Sequence, residues 1–400
     1  MNHKFTFLFL IFIPALHVVQ VNDSIAQQSP PSQEFKPSGK VWGYTFGDFY
    51  YKTGGSQTTS WGKGEYSKKG VDEYAFSFRR IYLGYDYNIS PDFASSFLLE
   101  GSDLSTDPSN RRSIFIKSCY LKWRNLIPRG ELRLGLVPAP AWSAFTESLW
   151  GYRSLEKTIT DFRGMSRAVD AGICLSGIID SSGNYGYNFL YGNGSGVSPE
   201  NLQLKVYYGE VYAYFLNKKI VVDGFAEYEP AKEGKDKIIL KGLLCFKNDK
   251  ISAGIEYVRQ IWNEGAMWIR ISQPAGNYSD TSLSDIISSG ISFYLTGNII
   301  KDKLKVVTRF DLFDNDGNSK DTLYAAKSWD ATLSTYSSSY ASDNTYGEKF
   351  AMVALDYTPH KNIHIMPNIW INGYDHKPES VSLPRKTDVA PRLTFHYIFK

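Results

Sequence analysis

The chain has 400 residues, and its 44 lysines and arginines nearly balance 41 aspartates and glutamates, leaving a formal net charge of +3. That balance excludes a strongly basic nucleic-acid binder and an acidic solvated tail, so no nucleic-acid partner is expected. Aromatics are the unusual class: 28 Tyr, 24 Phe and 9 Trp make up 15% of the chain, yet the mean hydropathy is −0.30, which excludes both a bundle of membrane helices and a disordered chain.

Residues Met1–Ala26 read as a secretory signal peptide. Lys4 comes early, the apolar run Phe5–Ile13 follows, and Ser24 and Ala26 supply small residues at the −3 and −1 positions of a cut. Pro14 and His17 interrupt the run before it reaches the roughly 18 apolar residues of a membrane helix. Residues 27–38, rich in Gln, Ser and Pro, read as a flexible leader. Cys119, Cys174 and Cys245 are odd in number and scattered, so no disulfide framework is expected.

From residue 39 to 400 the chain alternates at period two. Val169, Ala171, Ile173 and Leu175 oppose Asp170, Gly172, Cys174 and Ser176; Tyr185, Tyr187, Phe189 and Tyr191 oppose Gly186, Asn188 and Gly192. Phe310 and Leu312 oppose Arg309 and Asp311, and Leu393, Phe395, Tyr397 and Phe399 oppose Arg392, Thr394 and His396. Such strands keep one face in an apolar medium and the other in water. Two segments fit poorly: Ser113–Arg124 needs a bulge or another register, because Phe115 and Lys117 share a face, and 203–216 is apolar on both faces.

Seven short connectors, at 88–91, 125–130, 180–184, 217–219, 248–250, 298–303 and 358–361, alternate strictly with eight longer polar ones, at 52–73, 102–112, 141–166, 193–202, 229–235, 263–284, 314–346 and 375–387. They join 16 strands, with an error of about two, and put both termini on the short-turn side. A soluble β-sandwich gives no reason for its long loops to gather at one end. A transmembrane barrel does, and it must close, since hydrocarbon offers unpaired amides no partner. The sequence therefore predicts an all-β fold, a single transmembrane antiparallel β-barrel of about 16 strands, with short periplasmic turns and long extracellular loops. The many aromatics suit rings at the lipid headgroups.

The faces opposite the rings carry charges of both signs, among them Arg80, Arg133, Arg309 and Asp311, which predicts a hydrated interior. The 26-residue loop Ala141–Ser166 is unlike the others. It carries Trp142, Phe145, Leu149, Trp150, Leu155 and Phe162, which need burial, together with Arg153, Lys157 and Arg163, and Arg167 follows it. Folding into the barrel would bury the rings and present the cations to the passage. Arg153, Lys157, Arg163, Arg167, Arg80, Arg133, Arg309 and Asp311 are the expected pore-lining and constriction residues, and their excess of cations would favour anions. A lid packed over the rim is the alternative for this loop.

Several stretches resemble the phosphate-selective-porin-like outer-membrane barrels of the Bacteroidetes type. Phe78–Ser90 looks like that family's early Arg-Arg hairpin, Trp150–Thr158 and Asp161–Gly164 like its third loop, Ser166–Gly172 like the strand that follows, and Arg309–Asp314 like its R-Y/F-D strand. Phe399 resembles the aromatic end read by the barrel-assembly machinery, with Lys400 as a departure. The resemblance implies a passive diffusion porin of a Gram-negative outer membrane, surrounded by outer-membrane lipid, forming a homotrimer and passing small hydrophilic solutes or anions. It does not define a phosphate site.

Other chemistry finds little support. No His-Glu-x-x-His, Gly-x-Ser-x-Gly or Cys-x-x-Cys is present, so no catalytic residue, cofactor or metal is assigned and no enzyme is expected. Gly192–Gly196 reads as a turn. The acidic cluster Asp311, Asp314, Asp316, Asn318 and Asp321, around Asp314-Asn315-Asp316-Gly317-Asn318, reads as a solvated turn, with a calcium loop as the less favoured alternative. The competing functional reading is a plugged outer-membrane barrel acting as a surface enzyme or binding scaffold.

Overall fold

The computed structural model describes residues 35–55, 64–200, 204–271, 278–318, 324–330, 335–337, 346–376 and 385–399. The expected signal peptide and most of the expected leader lie outside the described residues. The first half of the chain forms β1 (Ser38–Tyr51), β2 (Tyr74–Asn88), β3 (Phe93–Thr106), β4 (Arg112–Arg124), β5 (Gly130–Pro138), β6 (Val169–Ile178), β7 (Tyr185–Gly192), β8 (Val206–Phe215) and β9 (Ile220–Glu229). The second half forms β10 (Lys237–Lys247), β11 (Ile251–Ile271), β12 (Tyr278–Ile300), β13 (Leu304–Asp314), β14 (Tyr324–Asp330), β15 (Thr335–Ser337), β16 (Tyr346–His360), β17 (Ile363–His376) and β18 (Asp388–Phe399).

Each stave pairs antiparallel with its neighbour, and β1 pairs with β18 from Gly43 opposite Phe399 to Tyr50 opposite Arg392, which closes the ring. β14 and β15 are not staves. They form a hairpin that continues the sheet above β10, with β14 pairing on Ala266–Arg270 of β11. The remaining strands make a closed 16-stranded barrel, as the sequence predicts. Among its turns, Asn125, Asn217 and Asp302 adopt φ of 59°, 55° and 59°, the left-handed region that Asn and Asp tolerate best among side chains.

The awkward phase of β4 resolves as a bulge. Leu98 faces Ser118 while Leu99 faces Ile116, so Lys117 is the extra residue and can join Phe115 on the inner side. Two expected connectors are corrected. Much of 263–284 and part of 314–346 is strand: β11 and β12 run 21 and 23 residues, twice the 9–11 or so that a crossing needs.

The outer face is apolar. Leu244, Phe293, Phe310, Leu355, Ile365 and Phe395, from six staves, all point outward and are exposed. The inner face differs between two sides. Along β9–β18 it is buried and partly apolar, with Val221, Leu243, Val307, Met352, Met366 and Trp370 packed into one cluster with Leu155 and Phe162 of the segment between β5 and β6. A second cluster joins Trp142, Ile159 and Met165 of that segment to Leu190, Phe225 and Ile239. The expectation of an interior hydrated all round is therefore corrected. A 16-stranded ring is too wide for its own side chains to fill, and this segment fills much of it.

Candidate functional site

The segment 139–168 leaves and rejoins the wall at one point, where the Ala139 amide donates to the Ala168 carbonyl at 2.9 Å. Inside, it forms two short helices, α1 (Thr146–Trp150) and α2 (Ile159–Phe162). α1 stops at Gly151, whose φ of 73° lets its amide return to the Glu147 carbonyl at 2.9 Å, a conformation that glycine adopts without penalty.

Wall residues from six strands grip the middle of this segment. Arg79 of β2 donates to the Ser154 carbonyl at 2.7 Å and Arg392 of β18 to the Leu155 carbonyl at 3.1 Å. The Trp370 indole of β17 donates to Glu156 Oε2 at 2.9 Å, and Arg309 of β13 bonds the Lys157 carbonyl. Thr160 donates to Glu256 Oε1 of β11 at 2.7 Å, and Arg163 pairs with Glu348 of β16. Near α1, Thr146 donates to Asp223 of β9, which also pairs with Lys241 of β10 at 2.8 Å. With Leu155 and Ile159 wholly buried, the segment is fastened by both apolar packing and hydrogen bonds.

The eight residues singled out from the sequence fall into two groups. Arg163 of the segment and Arg309 and Asp311 of the wall are enclosed between the two with almost no accessible surface, and Arg309 also pairs with Asp311 at 2.6 Å. Arg80, Arg133, Arg153, Lys157 and Arg167 keep part of their surface open. Arg80 pairs with Glu100 at 3.0 Å, and Lys117 reaches the other oxygen of Glu100 at 2.9 Å. Arg153 pairs with Asp161 at 2.7 Å and Glu147 at 3.1 Å, and its Nε lies 3.3 Å from the Tyr82 hydroxyl. Arg133 pairs with Glu131 at 2.6 Å and Arg167 with Glu229 at 2.9 Å. Lys157 makes no salt bridge among the described residues.

Electrostatics separate the two acids that hold Arg153. Burial pushes the Asp161 carboxyl up, but Arg153 and Lys157 more than offset it and hold it below its usual range. Burial of Glu147 outweighs Arg153, and the nearby Asp161 adds to it, so its carboxyl is pushed up. Glu147 therefore gives up its charge first on acidification.

On the side of β1–β5 the interior stays open. A cavity of about 700 Å³ begins at the short-turn rim, where Lys40, Asp86 and Phe399 stand, and reaches mid-height at Tyr44, Tyr82, Lys117, Glu147 and Arg153. Its aromatic lining, which includes Trp42 and Tyr120, was missed by sequence reasoning. The signal was present, since Tyr44 and Tyr82 are directly opposite one another on inner faces. A second feature had no sequence signal. Tyr66, between β1 and β2, enters the barrel, bonds Asp48 and lies under the Arg392 guanidinium at 4.8 Å. At the acidic turn, Asp314 and Asp316 spend oxygens on backbone amides: Asp316 Oδ1 accepts from Ile287 at 3.0 Å and Asn318 at 2.9 Å. Asp321 lies outside the described residues. His364 and Asp356 meet at 2.9 Å, with the Tyr152 hydroxyl donating to the same carboxylate at 3.1 Å.

No protein-family model matches the chain, and no curated protein matches it in sequence. Solved structures share its fold. The outer-membrane channel DcaP of Acinetobacter baumannii is 13% identical with a TM-score of 0.59, over 91% of this chain and 97% of that one. The anion-selective porin from Comamonas acidovorans is 11% identical with a TM-score of 0.53, over 91% and 100%. Salmonella typhi OmpF, in complex with daunomycin, is 9% identical with a TM-score of 0.54, over 90% and 97%. At these identities the likeness is one of fold.

Proposed function

We propose that the chain is an outer-membrane porin through which small hydrophilic solutes diffuse passively, with a weak preference for anions. One observation carries the reading: a closed barrel with an apolar outer face holds, at mid-height, a segment fastened to one side, leaving an open space along β1–β5 lined by aromatic rings and by Lys40, Asp86, Lys117, Glu147 and Arg153. No bond is made or broken; the narrow part selects by size and by the field of its side chains. Arg80, Arg133, Arg153, Lys157 and Arg167 line the passage in this reading, whereas Arg163, Arg309 and Asp311 act as struts that hold the segment. The neighbours described as an outer-membrane channel and an anion-selective porin support the general reading.

The finer parts rest on the sequence resemblance: the phosphate-selective-porin-like type, removal of a signal peptide, delivery by the barrel-assembly machinery through Phe399, and a homotrimer. Planar-bilayer recording tests the central claim. Stepwise conductance, with a reversal potential displaced modestly toward anions in a salt gradient, is expected. A correctly assembled barrel that passes no current would refute it. That result would favour the second reading, a plugged scaffold, which the apolar clusters around Leu155 and Ile159 support.

A further inference from the structure

The cavity on the β1–β5 side has a lining that ion passage does not require. Trp42, Tyr44, Tyr82 and Tyr120 give it flat apolar faces with polar tips, and Tyr44 and Tyr82 lie with ring centroids 4.7 Å apart. Ser96, Ser118, Ser143, Ser148 and Ser154 contribute to the same wall. Apart from Lys40 at the rim, its cations are already committed. Lys117 is held by Glu100, Arg153 by Glu147 and Asp161, and Asp86 accepts from the Trp42 indole at 2.8 Å and from Ser96 at 2.7 Å. A site built to hold an ion would leave a net charge aimed inward, but here each charge deep in the cavity is countered. What remains on offer is stacking area and hydroxyl or carboxylate lone pairs. The volume, about 700 Å³, lies inside the range of organic-ligand sites.

We infer that this cavity is a binding subsite for a neutral, hydroxyl-rich solute, a mono- or disaccharide, on its way through the barrel. The C–H face of a pyranose ring would lie on the Trp42 and Tyr120 rings, and its hydroxyls would donate to Asp86 and exchange hydrogen bonds with the serines. An inorganic anion would gain little, because Lys117 and Arg153 would have to leave buried carboxylate partners to meet it. The inference rests on the porin reading for its place in a transport path, but the subsite can be measured without transport.

The test uses the full chain, folded in detergent, in two arms. In the first, glucose and maltose are titrated against tryptophan fluorescence and by calorimetry, with inorganic phosphate as the competing probe. Saturable saccharide binding is expected, weakened at least tenfold by Trp42→Ala and by Tyr120→Ala, with heat-modifiable migration on gels confirming that both variants are assembled. In the second, the same sugars are added to open channels, where they should interrupt the current saturably and polyethylene glycol of equal size should not. Conductance without saccharide binding, or binding of phosphate instead, would overturn the subsite and leave the porin reading standing. Saccharide binding by a barrel that never conducts would uphold the subsite and overturn the porin.

Discussion

Arg163 offers the sharpest test of how the interior is organised, because two roles for it predict different measurements. Its guanidinium has no accessible surface, pairs with Glu348, and lies 4.3 Å from the Phe162 ring centroid and 5.1 Å from that of Phe313. Arg163→Met keeps much of the packing and removes the charge. Among the described residues, Glu348 would then be a buried carboxylate left with Asn372, donating at 2.8 Å, and Asn315, donating at 3.1 Å. Breaking a buried pair from one side costs about 3–5 kcal/mol. The two amides keep the loss near the lower figure, about 3 kcal/mol, which is more than a hundredfold in an equilibrium constant. Adding Glu348→Gln should recover most of the loss, since a neutral side chain no longer needs a cation beside it. Chemical unfolding in detergent reads the stability, and bilayer recording reads the segment: a loosened α2 should add fast current noise while the reversal potential holds. If Arg163→Met leaves stability unchanged and shifts the reversal potential instead, the residue is a passage cation and the strut assignment is wrong.

Leu155 is wholly buried between the inner segment and the wall, so Leu155→Ala should cost about 2–5 kcal/mol in the same unfolding assay; a change under about 0.5 kcal/mol would mean the cluster is not packed. Phe395 points outward between Gly47 of β1 and Ile365 of β17, and Phe395→Arg should cost about 2–4 kcal/mol in bilayers if that face meets hydrocarbon. Assembly at wild-type yield and stability in lipid would argue against a membrane position for this wall. Glu147 has its carboxyl raised by burial, so on acidification it becomes neutral before an ordinary glutamate does, while Asp161, held down by Arg153 and Lys157, stays charged. Loss of that one negative charge, with Arg153 and Lys117 still cationic, should move the reversal potential toward anions under mild acid, and Glu147→Gln should abolish the shift. Lys157→Glu should reverse the anion preference, whereas Lys157→Gln should only erase it; a potential insensitive to both would remove Lys157 from the passage.

Most of the wall was legible because a closed ring with an apolar outer face follows a simple rule. Every outward side chain along β18 must be apolar and every amide must pair, so Leu393, Phe395 and Tyr397 reveal the strand and its facing at once. The rule lapses beyond the apolar band. The upper parts of β11 and β12 extend past it, so the alternation fades and Ser282 and Ser284 read as loop although the ladder continues to Ala266 and Trp268 opposite them. Inside the barrel the rule is different again. Charges on the inner faces of β9 and β10 suggested water, yet Asp223 and Lys241 share those faces with Val221, Phe225, Ile239 and Leu243. That mixture was visible, and it means a lumen covered by another part of the chain. Which part covers it depends on contacts between residues some 200 positions apart, as between Arg163 and Glu348, and no local pattern encodes them.

In the porin reading, the same arrangement limits how selective the passage can be. At mid-height, Arg80, Lys117 and Arg153 stand against Glu100, Glu147 and Asp161, close enough to pair within about 3 Å in each case. A solute more than about 8 Å away, the screening length of physiological salt, meets them as dipoles rather than as charges. What survives at that range is the surplus, and Lys157 supplies it: Arg309 fixes its backbone, and its side chain makes no salt bridge among the described residues, although its field acts on Asp161. One cation without a salt-bridge partner gives a bias rather than a filter. The pairing that weakens the filter also holds the segment in place, since each paired carboxylate near it either carries the segment or faces it. Strong anion selection would require removing those acids, and the prediction from Glu147 protonation is a small, reversible version of that change.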